Sequence, residues 1–116
     1  MQKHLKDTDE LFVELKEEKN LDLKEIVRKS NLNRVYAYHI FSGQRKNPSR
    51  PKILAIGIAM DLNLKEIQYL LKYAELPPLY PRSQWDSIII SAVEQNLNVF
   101  ETNNLLNQLG EKIFLE

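Results

Sequence analysis

Apolar residues recur along this chain at the spacing of one helical face, interrupted by short polar runs. Leu11, Phe12 and Leu15 form a first stripe, which predicts a helix over about residues 8–19. Leu23, Ile26 and Val27 form a second, preceded by Asp22, a residue type that caps helix starts. A turn at Ser30, Asn31 and Leu32 follows, and Asn31 tolerates the left-handed backbone that such a turn needs. The third helix starts at Asn33, keeps Ala37, Ile40 and Phe41 inward, and stops at Gly43. A fourth starts near Pro51 and carries Ile53, Leu54, Ile56, Ile58, Ala59 and Met60. It is apolar on almost every side and is therefore expected to be the most buried. The fifth, from Leu64 to about Tyr73, has Leu64, Ile67, Leu70, Leu71 and Ala74 as its stripe.

The three prolines of LPPLYP at 76–81 then stop any helix and favour a stiff, extended connection. Beyond it, Trp85, Ile88, Ile89, Ala92 and Val93 form one stripe and Val99, Thr102, Leu105, Leu106 and Leu109 another, ended by Gly110. The expected division is thus 1–76, a five-helix front, and 77–116, a two-helix tail. Two amphipathic helices cannot hide their faces alone, so the tail must pack on the front or join a second copy. Trp85, Ile89, Ile90, Leu105 and Leu106 are the residues expected to do one or the other. Tyr69 and Tyr73, off the core stripe of the fifth helix, are expected to pack against the tail. Three segments, NLDLKE at 20–25, DLNLKE at 61–66 and NLNVFE at 96–101, put an Asx residue three positions before Glu. That is capping-box spacing, and it predicts recurring helix starts, not a repeat array.

Composition narrows the class. With 116 residues, 43% hydrophobic, three Gly and no Cys, the chain reads as one small all-α unit without disulfides, zinc fingers or thiol chemistry. Its longest apolar run, at 53–60, is too short for a membrane span, and MQKHLKDTDE lacks a signal peptide's apolar core, so a cytoplasmic protein is expected. His4 and His39 are the only histidines, and with no Cys and no nearby paired carboxylates they make neither a metal site nor a nucleophile with a base. Asp9 and Glu10, like Glu17 and Glu18, are sequence neighbours and diverge on a helix. Neither an enzyme, a metal site nor a cofactor is expected.

Charge adds a direction. The chain has 16 basic and 16 acidic residues, yet residues 26–60 hold seven bases (Arg28, Lys29, Arg34, Arg45, Lys46, Arg50, Lys52) and no acid. The rest, nine bases against sixteen acids, is net negative by seven. A basic segment around an outward-facing helix is the footprint expected for double-stranded DNA, although a solvated face gives the same pattern. On the third helix the outward positions are Val35, Tyr38, His39 and Ser42, with Arg34 on the flank.

Residues 8–76 resemble the Cro and phage-repressor-like helix-turn-helix family, in particular the small bacterial regulators of the xenobiotic-response-element type. The likeness lies in the five-helix order, in LKEIVRKSNLNRVYAYHIFSG at 23–43 and in ILAIGIAMDLNLKEIQYLL at 53–71. It implies a lambda-repressor-like DNA-binding domain followed by a C-terminal extension, and a transcriptional regulator that inserts helix 33–42 into the major groove as a homodimer. By position, base reading falls on Arg34, Val35, Tyr38 and His39: Arg34 to a guanine, Val35 to a thymine methyl, His39 to a purine edge. Phosphate contacts fall on Ser42, Gln44, Arg45 and Lys46, with Arg50 and Lys52 at the start of the fourth helix extending the set. Departures from the family pattern are Leu23 where Gln or Thr often opens the first motif helix, Val27 at a usually small position, and Asn31 for the turn Gly. The competing expectation is a protein-interaction module, antitoxin-like or a kinase-associated adaptor, that keeps the scaffold without specific DNA binding.

Overall fold

Helix-forming stripes with polar corners between them build most of the described backbone. The computed structural model describes residues 7–114, so the charged start with His4 lies outside the described residues. Among the described residues there are seven α-helices and no strand: α1 (Thr8–Glu18), α2 (Leu23–Ser30), α3 (Arg34–Ser42), α4 (Arg50–Ala59), α5 (Leu64–Tyr73), α6 (Gln84–Glu94) and α7 (Val99–Gln108). None of them is long and apolar enough to cross a membrane.

The three similar segments turn out to be more than helix starts. Each begins with a residue at positive φ (Asn20 55°, Asp61 62°, Asn96 60°) followed by Leu21, Leu62 or Leu97. The amides of these leucines donate to the carbonyls of Lys16, Gly57 and Ala92, five residues back, while Asn20, Asp61 and Asn96 donate to Glu17, Ile58 and Val93. That pair of bonds closes the preceding helix in a Schellman motif. The next residue then caps the following helix. At Asn63 and Asn98 the capping box forms in full, with side-chain oxygens accepting from Glu66 and Glu101 amides at 2.8 and 2.7 Å and both Glu carboxylates returning at 2.9 Å. One short sequence thus stops one helix and starts the next.

At Asp22 the expected box does not form. The Glu25 carboxylate turns instead to Arg28, one turn along α2, whose Nε and Nη2 both donate to Oε1, and Asp22 makes no side-chain cap. A charged donor on the same helix competes successfully with a neutral backbone N–H. A box appears where none was expected, at Asp7, whose amide donates to Glu10 at 2.9 Å.

A single apolar core runs through both parts of the chain. It is centred on α4, where residues 53–60 are all buried, and takes in Phe12, Ile26, Ile40, Ile67, Leu70 and Leu71 from the front. Gly57 lets α5 approach: a Cβ there would lie 3.3 Å from Ile67 Cγ1. The tail packs on this front, α6 against α5 and α7 against α4, and Ile89, Val99 and Leu106 are completely buried. Ile90 and Leu105 are half-buried against the same core.

Trp85 has a different role from Ile89. Its indole Nε1 donates to the Lys112 carbonyl at 2.7 Å and its ring meets Phe114 edge-on, 5.8 Å between centroids, so it fastens the segment after α7. The connector is also tied down. The Gln68 side chain donates to Leu79 O and accepts from Leu79 N at 3.0 and 2.8 Å, and Leu79 itself is buried. Tyr69 does not pack on the tail as expected: it stays exposed and pairs with Tyr73, 5.9 Å away, which lines a recess beside the start of α1.

Candidate nucleic-acid interface

The α2–α3 corner is built by its own short side chains. Ser30, fully buried at the end of α2, donates to the Val27 carbonyl at 2.8 Å and accepts from the Leu32 amide at 3.2 Å. Asn31 turns the chain at φ 62°, Leu32 drops into the core, and Asn33 Oδ1 caps α3 by accepting from the Tyr36 amide at 3.0 Å. Val27 is buried in this corner, at 4% exposure.

These contacts fix which way α3 faces. Ala37, Ile40 and Phe41 are buried, with Phe41 against Phe12 at 5.4 Å between ring centroids. The opposite ridge carries Val35, 59% exposed, then His39, half-buried, and Ser42, exposed. Ser42 Oγ donates to the His39 carbonyl at 3.2 Å, and its oxygen also receives the Gln44 amide at 3.5 Å, so part of its hydrogen-bonding capacity closes the helix end.

Cations flank this ridge on both sides. Towards α2, exposed Arg34 and half-buried Tyr38 share a groove of about 630 Å³ with Lys24 and Arg28 of α2. Towards α4, the Tyr36 ring holds two cations, the Arg45 guanidinium carbon 4.7 Å and the Lys52 ammonium 5.4 Å from its centroid. Cation–ring contacts of this kind orient a charge without neutralising it. Tyr36, Lys24 and Arg28 were not among the expected site residues. The four-residue spacing of Lys24 and Arg28, which puts them on one face of α2, was the available signal for that pair.

The loop after α3 is held close to α1. Gly43 has φ 85°, and a Cβ at this position would sit 2.7 Å from Asp9 Oδ2, so a side chain here would strain the backbone and displace the Asp9 carboxylate. Lys46 lies 3.7 Å from Asp7 Oδ2 with both side chains well exposed, a weak and screened pair. Gln44, Arg45 and Lys46 are all exposed.

Arg50 departs from its expected role as a phosphate contact. Its guanidinium turns away from the loop into the tail, where it forms a bidentate pair with Asp86 at 3.0 and 2.9 Å and donates to the carbonyls of Pro77 and Pro78. Burial pushes the Asp86 carboxyl up, but the Arg50 hydrogen bonds, the Tyr80 amide and the Arg50 charge outweigh it and hold the group below the usual carboxylate range. Glu66 behaves likewise: burial raises it, and the ion pair with Lys19 at 2.9 Å together with the Asn63 amide lowers it further than burial lifts it.

Among the described residues no group of His, Cys, Asp and Glu is arranged to hold a metal ion. No protein-family model, curated protein or solved structure matches this chain.

Proposed function

We propose that this protein is a sequence-specific double-stranded-DNA-binding regulator of the lambda-repressor-like helix-turn-helix type, with α3 as the helix that enters the major groove. The observation that carries this reading is the ridge of Val35, His39 and Ser42 flanked by cations on both sides, Arg34 with Lys24 on one, Arg45 with Lys52 on the other. A helix lying in a major groove has a phosphate strand on each flank and base edges beneath its ridge, which matches that distribution of charge. In this reading Arg34, Val35, Tyr38 and His39 meet bases, and Ser42, Gln44, Arg45, Lys46 and Lys52 meet phosphates. Arg50 leaves the set.

One such helix offers modest affinity, so the working form is a homodimer on two half-sites about 34 Å apart. Ile89 and Leu106 do not join the copies, because both are spent within one.

Selection of bound duplexes from a random pool tests the reading. An enriched motif, bound with affinity that falls steeply with salt, is the expected result. No enrichment, with salt-insensitive retention of a protein partner instead, overturns it in favour of an interaction module.

A further inference from the structure

The first turn of α4 has no cap of its own. Ser49, at the N-cap position, makes no side-chain hydrogen bond to the helix, and Pro51 contributes no N–H. Pro51 suits a first turn, and the Ile53 amide donates to the Ser49 carbonyl at 3.0 Å; what the turn lacks is a side-chain cap, and two elements outside it bear on it instead. On one side Lys52 rests near the Tyr36 ring, 5.4 Å from its centroid. On the other, Arg50 is clamped by residues 27 to 36 positions further along the chain: Pro77 O at 2.9 Å, Pro78 O at 2.9 Å, and both Asp86 oxygens at 3.0 and 2.9 Å. Asp86 is only 6% exposed, and its Oδ2 is steadied by the Tyr80 amide at 2.9 Å.

From this we infer that Asp86 is a positioning residue for the DNA interface: through Arg50 it fixes the start of α4 and so the place of Lys52 beside Tyr36 and Arg45. The inference rests on the DNA-binding reading above. A buried ion pair is a poor way to gain stability alone, since desolvation offsets most of its attraction. Its value lies in geometry, because a forked pair fixes both partners in angle as well as distance. The tail, which carries no residue assigned to DNA contact, thereby acts on the phosphate-facing edge.

The test uses the full chain with a fluorescein-labelled duplex, comparing Asp86→Asn, the milder Arg50→Lys, and Trp85→Phe, which removes the tail's indole bond to Lys112 and leaves both partners of the Arg50–Asp86 pair in place. Asp86→Asn is expected to weaken binding to any duplex about tenfold and to flatten the salt dependence by about one unit of slope, with Arg50→Lys in the same direction and smaller. Trp85→Phe is expected to lower thermal stability and leave the slope unchanged. Should Asp86→Asn not fold, Arg50→Lys is read against the same criteria. Hydrogen exchange is followed in parallel without DNA, where the Ile53 and Leu54 amides are expected to exchange at least tenfold faster in the clamp variants while Leu70 does not change. Folded clamp variants with wild-type slope and wild-type exchange overturn the inference, as does an equal loss of slope in Trp85→Phe. Faster exchange at Ile53 and Leu54 in the clamp variants, found together with a wild-type chain that binds no duplex, upholds the clamp and overturns the DNA reading alone.

Discussion

The Arg45 guanidinium lies 4.7 Å from the centre of the Tyr36 ring, on the same side chain that Lys52 approaches from α4. A residue from the loop and one from the next helix are therefore spaced by a single ring on α3. Replacing that ring with Tyr36→Leu is expected to leave the fold intact and to weaken binding to all duplexes by a similar factor, about three- to tenfold, whereas Tyr36→Phe keeps wild-type affinity. Fluorescence anisotropy over a salt series measures both.

Arg34 and the pair Arg45 with Lys46 separate reading from anchoring. Arg34→Ala is expected to cost about 1 to 3 kcal/mol on the preferred site and to relax preference at one base pair. The double substitution Arg45→Ala with Lys46→Ala is expected to weaken every duplex alike and to lower the salt slope by about one to two. A repeat of the duplex selection with each variant distinguishes the two outcomes.

Acid is expected to unfold the protein through Asp86 and Glu66. Both carboxyls sit below their ordinary range in the folded state. Their contribution is therefore complete above the unfolded-state value of about 4 and is lost as pH falls through the lower folded values. Thermal melts between pH 7 and pH 2 are expected to be flat above about pH 5 and to fall below it, and Asp86→Asn is expected to fall less steeply over the acid range from a lower starting point.

Truncation after Leu76 is expected to cost cooperative folding, because it uncovers α4 and α5 and removes Leu79, Ile89, Val99 and Leu106 from one continuous core. Differential scanning calorimetry of the shortened chain is expected to show a broad or absent transition. A sharp two-state melt near the full-length temperature would show the front to be self-sufficient.

The helices were legible in the sequence because each buries one stripe between polar corners, and α4, apolar all round, was legible as the centre for the same reason. What sequence spacing could not carry were choices between partners. Glu25 had the spacing to cap α2, but Arg28 offers a charged donor one turn away, and spacing alone does not rank the two. Arg50 looked like its basic neighbours until a carboxylate 36 residues further along met it across the core. Tyr36 carried no motif; its importance comes from two cations that reach the same ring from separate segments. The outward ridge of α3 was legible, since it is the plain complement of the buried stripe at 37, 40 and 41.

The corners that end the helices leave this molecule with a reserve of heat resistance. Asn20, Asn31, Asn47, Asp61, Glu75 and Asn96 all hold positive φ, and Glu75, at 61°, closes α5 with a side chain poorly suited to that conformation. A non-glycine residue there costs roughly 1 kcal/mol, part of which glycine returns after its own entropy is counted. Glu75→Gly is thus expected to raise the melting temperature by a few degrees, and the asparagine sites, already tolerant, by less. A sturdier version of this protein can be reached through its corners, leaving the core as it is.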